Sequence, residues 1–305
     1  MKKFYLKIGL FLVPVLLVWL ALEVFYRTVE TNYTFKSKTL VENYTDIEVL
    51  IFSNSQAFYG INPNRFTQNA FSIANISQTL YFDQLLLEKH LDSLPNLKTI
   101  ILTVSYFTLS LKDNTREDIW RKYFYNQQMD VEVPHISVFD PRKYSLSLSR
   151  KLKNSVETIQ EYRKFGTLVS CDTKGFGKYL KPGSQTDTDV IGAMIAKKHE
   201  DHSLDFEINR NRLQQIIDRC KARNIQVVLV NTPVSRAYYR NLYPEKVEKI
   251  IATCNALALK NANVHFLSFW NDTRFIDADM RDADHLKVEG AQKLSTILEE
   301  ALQSF

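Results

Sequence analysis

The chain has 305 residues, 45% of them hydrophobic and 24% charged, with eight glycines and eight prolines. That composition fits a packed globular core and excludes a disordered, collagen-like or low-complexity protein. Lys and Arg exceed Asp and Glu by five, 39 against 34; Lys2, Lys3 and Lys7 supply three of the five, no dense basic stripe exists, and nucleic acid is not an expected partner.

The first predicted element is a membrane span. Residues 8–22 carry no charge, and Glu23 is the only charge before Arg27. At a rise of about 1.5 Å per residue, some 20 residues cross a hydrocarbon core of roughly 30 Å, which 8–26 nearly matches. Trp19, Phe25 and Tyr26 suit the interfacial belt, and Lys2, Lys3 and Lys7 are expected to hold the N-terminus in the cytoplasm. Pro14 is tolerable inside such a span. Residues 1–27 are therefore expected to be a retained single-pass signal anchor in the cytoplasmic membrane, with the remainder outside the cytoplasm. A cleaved signal peptide is one alternative, although Ala21-Leu22-Glu23 is a poor cleavage site. A buried soluble helix is the other.

Residues 28–45 are polar with scattered aromatics and read as a stalk. From 46 to 305, short β-rich runs alternate with helical patterns, the signature of βαβ units around a parallel sheet. The predicted strands are 48–52, 70–74, 99–104, 226–230 and 264–267, continuous apolar runs that suit strands covered on both faces. Helices are predicted over 81–94, 210–223, 245–260 and 288–302, with Asn224 as the stop residue of the second. Between the third and fourth strands lies a long insertion, 106–203, rich in Tyr, Lys and Asp and including KGFGKYLKPGSQTDTD at 174–189. It reads as a partly helical cap beside the C-terminal edge of the sheet. Its Trp120, Tyr123, Phe124 and Tyr125 are read as cap packing before a sugar-stacking platform.

Two short stretches carry chemistry. SNSQ (53–56) ends the first strand, so its serine is exposed at the sheet edge, where following N–H groups and a helix dipole can stabilise an oxyanion. DADH (282–285) precedes the last helix. A carboxylate three residues before a histidine can fold back onto Nδ1 and leave Nε2 free, which supplies the base and orienter that a serine nucleophile needs. Asp284 is expected to point elsewhere and ranks second to Asp282. Taken singly, each stretch is ordinary, a turn serine and a surface turn. Their order at opposite ends of an α/β pattern joins them.

These stretches together resemble the SGNH/GDSL hydrolase superfamily, most of all its membrane-anchored bacterial members of cell-envelope and exopolysaccharide systems. SNSQAFYGINP (53–63) is similar to the first block, FSIANISQTLYFDQLLL (71–87) to the second, and VVLVNTPVSRAYY (227–239) to the fourth strand and its loop. SFWNDTRFIDADMRDADHLKVEGAQKLS (268–295) is similar to the last block. The resemblance implies a three-layer α/β/α, flavodoxin-like fold with about five parallel strands. It also implies Ser55 as nucleophile, His285 as base and Asp282 as orienter, with oxyanion N–H groups from Ser55 or Gln56 and from Ser77. Arg236, Tyr238 and Tyr239 follow the fourth strand on the same edge. Arg236 and Tyr239, with Lys287, are the expected substrate contacts.

Four departures stand out. Ser53 replaces a usual Gly, a mild change if its backbone angle is ordinary; Ser77 replaces the second-block Gly. LTVSYFTL (102–109) places Tyr106-Phe107-Thr108 where the third block supplies an Asn donor, and Lys287 replaces an Asn after the histidine. The expected function is a serine esterase or O-acyltransferase acting on acylated, O-acetylated envelope polysaccharide. The alternative is a degenerate domain that binds glycan or a membrane acyltransferase partner. No cofactor and no metal is expected, since Cys171, Cys220, Cys254 and the other five histidines lack ligand spacing. One bridge between Cys220 and Cys254 stays open.

Overall fold

The computed structural model describes residues 2–180 and 188–305; the 181–187 part of the 174–189 stretch lies outside them. In chain order the helices are α1 (Lys2–Thr28), α2 (Asn32–Glu42), α3 (Ser55–Gly60), α4 (Leu80–His90), α5 (Asp118–Gln128) and α6 (Leu152–Phe165). They continue with α7 (Thr188–His199), α8 (Glu207–Lys221), α9 (Arg236–Arg240), α10 (Pro244–Lys260) and α11 (Val288–Leu302). The strands are β1 (Val49–Phe52), β2 (Ala70–Ser72), β3 (Thr99–Thr103), β4 (Gln226–Asn231) and β5 (Val264–Ser268). Every predicted strand is present within a residue or two of its expected limits.

The strands form one parallel sheet in the order β2-β1-β3-β4-β5. Its register pairs Ile51 with Ser72 and Ile101, Leu102 with Leu229, and Val230 with Leu267. Runs such as VLIF in β1 are buried at every position because helices cover both faces. Asn224, in the turn three residues past the end of α8, sits at φ 56°, a left-handed conformation that asparagine tolerates. The strand order reverses between β1 and β3, so the crevice past their C-terminal ends is the preferred ligand position of such a sheet. Ser55 opens α3 directly after β1.

The described residues cluster into two compact units. The second comprises Lys38–Thr115 and Cys171–Phe305 and holds the sheet. The first comprises Met1–Ser37 and Arg116–Ser170. The 106–203 insertion is thus divided between them. In the first unit, Leu22, Glu23 and Tyr26 on α1 are buried. Glu23 accepts hydrogen bonds from Arg27 Nε (2.7 Å) and Ser145 Oγ (2.7 Å), which explains one acid near the end of an otherwise apolar helix. The expected stalk contains α2, whose Tyr33 ring packs against Phe124 and Tyr125. Those α5 aromatics are buried with Tyr123, so they pack the unit and offer no sugar platform. Aromatic anchors fold α2 within the segment whose polar composition reads as a stalk.

Cys220 and Cys254 are free, buried thiols with no bridge between them, and Cys171 is buried. Burial pushes the Cys220 and Cys254 thiols up to about 12, as expected of packing groups.

A buried cation braces the second unit. Lys246 on α10 has no exposed surface, and its Nζ meets Asp201 Oδ1 at 2.6 Å and Glu200 Oε1 at 3.4 Å. The Tyr106 hydroxyl donates to Glu200 and accepts the Tyr243 N–H at 3.1 Å. Breaking such a pair strands its partners, so Lys246→Met is expected to cost about 3 kcal/mol in urea unfolding.

Candidate active site

The structure brings Ser55, Asp282 and His285 together across 230 positions of sequence. His285 Nε2 lies 2.8 Å from Ser55 Oγ, and His285 Nδ1 lies 2.8 Å from Asp282 Oδ1. Asp282 Oδ1 also accepts the His285 N–H at 3.0 Å, so the Asp-x-x-His spacing closes a turn that fixes the ring. The loop is held from three sides. Arg281 N–H donates to His285 O at 2.9 Å, Ser235 N–H donates to Ala283 O at 2.9 Å, and Met280 bridges Leu286. Gly290 lets α11 press against this loop, because a Cβ there would lie 2.5 Å from Asp279 O.

The serine loop is built from a different set of bonds. Asn54 caps α3 by accepting the Gln56 N–H at 2.9 Å. That bond uses the Gln56 N–H, which corrects the expectation that it serves an oxyanion. Among the described residues the N–H groups of Ser55 and Ser77 have no acceptor. Asn75 N–H donates to Ser53 O at 3.0 Å and ties the Ser77 loop to the serine loop. Beneath them the wholly buried Asp83 accepts the Ser53 N–H at 3.0 Å and Gln78 Nε2 at 2.7 Å. Burial pushes Asp83 up to about 7 against the pull of those two donors.

Ser53 sits at φ 100° and Ser77 at φ 56°. The backbone angle of Ser53 is therefore not ordinary, and both serines hold conformations that favour glycine, at a cost of order 1–3 kcal/mol each. The Ser53 hydroxyl recovers part of this by donating to Thr103 O at 2.9 Å.

The third-block region supplies no Asn amide. The Tyr106 hydroxyl is engaged with Glu200, Thr108 Oγ1 accepts the Ser105 N–H at 2.9 Å, and Phe107 is apolar. Ser105 Oγ instead joins a buried chain, accepting from Asn54 Nδ2 (2.7 Å) and donating to Gln56 Oε1 (2.8 Å). Gln56 Nε2 in turn reaches towards Asp284 Oδ2 at 3.4 Å.

Asp284 does not point away. It is buried, and its Oδ1 lies 3.5 Å from His285 Nδ1, so the imidazole is flanked by two carboxylates. Burial opposes a cation at His285, but the charges of Asp284 and Asp282 and the bond to Asp282 prevail, pushing it up to about 9. Burial likewise acts to raise Asp282, yet the hydrogen bond and charge of His285 hold it below the usual carboxylate range. Asp282, Asp284 and His285 could in principle ligate an ion, their ligand atoms lying within 4.8 Å of one another. Both carboxylates face Nδ1, however, so an ion there would displace the Nδ1–Asp282 bond that orients the ring.

Tyr59 and Tyr179 complete the wall. Their rings stack at 4.1 Å and 12°, Tyr59 meets His285 edge-on at 5.8 Å, and the Arg281 guanidinium lies 3.7 Å above Tyr179. Tyr179 donates to Leu286 O at 2.8 Å. Gly177 permits this crossing, since a Cβ would lie 2.6 Å from the Phe58 ring. Tyr179 comes from the insertion, where nothing in the pattern marks it; Tyr59 lies within the serine block itself. Of the expected substrate contacts, Arg236 is exposed at the start of α9, with its N–H 3.3 Å from Asp277 Oδ1. Tyr239 is half-buried beside it. Lys287 is exposed and donates to Ala278 O at 3.0 Å.

No family profile and no curated protein matches the chain. Solved structures share its general layout. One is a candidate platelet activating factor from Streptococcus pneumonia, 15% identical, covering 95% of this chain and 97% of that one at a TM-score of 0.43. A second is a GDSL-like lipase from Bacteroides thetaiotaomicron, 10% identical over 89% and 98%, with a TM-score of 0.42. A third, a candidate acylhydrolase from Bacteroides fragilis, is 11% identical over 84% and 86%, with a TM-score of 0.41. At such scores the likeness is loose, and the hydrogen-bonded Ser55, His285 and Asp282 speak for themselves.

Proposed function

We propose that the protein is a serine esterase or O-acyltransferase of SGNH type, working through an acyl-enzyme. The observation that carries this reading is the unbroken chain Asp282 Oδ1, His285 Nδ1, His285 Nε2, Ser55 Oγ, with both links at 2.8 Å. Ser55 Oγ attacks the acyl carbonyl while its proton passes to His285 Nε2. The oxyanion is held by the Ser55 and Ser77 N–H groups. The imidazolium then protonates the leaving alkoxide, and the ester bond to the first oxygen breaks. A second hydroxyl, from water or a sugar, gives its proton to His285, attacks the Ser55 ester and releases the serine. Hydrolysis and transfer differ only in that acceptor.

The substrate class in this reading is an O-acetylated envelope glycan outside the cytoplasmic membrane, with the chain anchored by α1. Support for a span comes from its 27 residues and its largely exposed apolar side chains. Support for retention comes from Trp19, upstream of a cleavage near residue 21, whose Nε1 donates to Ser145 Oγ of the same unit at 3.1 Å.

The test is a serine-reactive fluorophosphonate on the full chain in detergent. Labelling is expected in wild type and Cys220→Ala and lost in Ser55→Ala, together with acetate release from native envelope polysaccharide. Wild type that neither labels nor releases acetate refutes the assignment.

A further inference from the structure

We propose that residues 138–156 of the first unit form an interfacial collar, seated in the headgroup region of an anionic bilayer beside the end of α1. This rests on the reading of α1 as a membrane span. Six large apolar side chains of the collar face outwards: Val138, Phe139, Tyr144, Leu148, Leu152 and Val156, with Phe139 91% exposed. Scattered singly, such residues would need no explanation; six within 19 positions form a surface that water does not favour.

Their depth follows from their bonds to α1. Trp19 Nε1 donates to Ser145 Oγ at 3.1 Å, Arg27 Nη2 donates to Tyr144 O at 2.8 Å, and Tyr26 OH donates to Ser155 Oγ at 3.0 Å. Tyr144 OH donates to Val138 O at 3.0 Å, which carries the tie to Phe139. Trp19 to Arg27 spans eight residues, about 12 Å of helix. The collar therefore flanks the last turns of α1, where a span leaves the hydrocarbon and where Trp and Tyr accumulate.

Charge selects the occupant. Between 138 and 153 the sequence holds Arg142, Lys143, Arg150, Lys151 and Lys153 against Asp140 alone. Apolar side chains alternating with cations are the composition of an interfacial segment. Cations near an anionic surface are drawn to it, and the attraction falls off within a Debye length. A protein partner would favour a continuous apolar patch, whereas these apolar side chains are interrupted in sequence by arginines and lysines.

The experiment uses the full chain in vesicles containing about one-third phosphatidylglycerol. Phe139→Cys and Leu148→Cys carry a bimane probe, with Leu259→Cys on α10, 90% exposed, as the water reference. The three native cysteines are buried and spare the label. A probe at Leu12→Cys reports the span. The expected result is severalfold stronger quenching at 139 and 148 than at 259 by headgroup-level nitroxide lipid, with matching protection from iodide. Lys143→Glu with Lys151→Glu should weaken the signal at 139. Probes at 139 and 148 behaving like 259 while the Leu12 probe is lipid-quenched overturn the collar and leave the anchor standing. A water-exposed Leu12 probe overturns both. Protection found only in native membranes, absent from pure lipid, overturns the lipid assignment in favour of a protein partner.

Discussion

Ser55→Ala and His285→Ala are each expected to lower kcat on an activated acetyl ester by about 10^5- to 10^6-fold, and the double variant by no more. The two side chains act as one device. Without the Oγ there is no nucleophile for the imidazole to deprotonate, and without the imidazole the hydroxyl is a poor one. Additive losses in the double variant would mean that Ser55 and His285 serve different steps, against the 2.8 Å contact between them. Folding is not expected to change much in Ser55→Ala, because the Ser55 side chain lies at a partly open edge and not in the sheet core. The wild-type ceiling is itself expected to be modest. An oxyanion donor is worth about 2.7–4 kcal/mol, and the third-block region has no Asn and has Tyr106 turned to Glu200. Backbone donors come from Ser55 and Ser77.

The parts visible from sequence are those set by local chemistry. Runs such as VLIF and TIILT must be buried on both faces, so the five strands could be read directly. The Asp282 and His285 pairing follows from a turn of three residues, and Ser55 from its place after a strand. What sequence hid is set by distant segments. Tyr179 reaches Tyr59 only because Gly177 clears the Phe58 ring, a meeting between segments some 120 residues apart. The positive φ of Ser53 is imposed by bonds to Asp83 and Thr103, and a serine letter gives no sign of it. The first unit draws α1 and 116–170 into one cluster, which no linear boundary between anchor, stalk and domain could express. Neighbours in sequence tend to point apart, yet the loop's tight turn brings the Asp282 and Asp284 carboxylates to one ring.

That second carboxylate sets up a separable prediction. Asp282→Asn is expected to lower kcat by about 10^4-fold, since Asn offers an N–H where the ring needs an acceptor and so favours the wrong tautomer. Asp284→Asn leaves the Asp282 bond in place and removes the charge that contributes most to the cation's stability, after burial, which opposes it. With His285 near 9, only about one imidazole in a hundred is neutral at pH 7, so wild-type kcat/KM should climb with pH towards about 9. In Asp284→Asn the acid limb should move to lower pH, raising activity at pH 7 relative to the alkaline plateau. Stability must follow the same proton. A histidine held above its ordinary 6.5 contributes stability that is complete below that value and is lost as pH rises to about 9. Wild type should therefore lose unfolding free energy between pH 6.5 and 9, and Asp284→Asn should lose less. An unmoved acid limb in Asp284→Asn would assign the raised imidazole to Asp282 alone. A collapse as deep as that of Asp282→Asn would make Asp284 the orienter, reversing the order that the 2.8 Å and 3.5 Å separations establish.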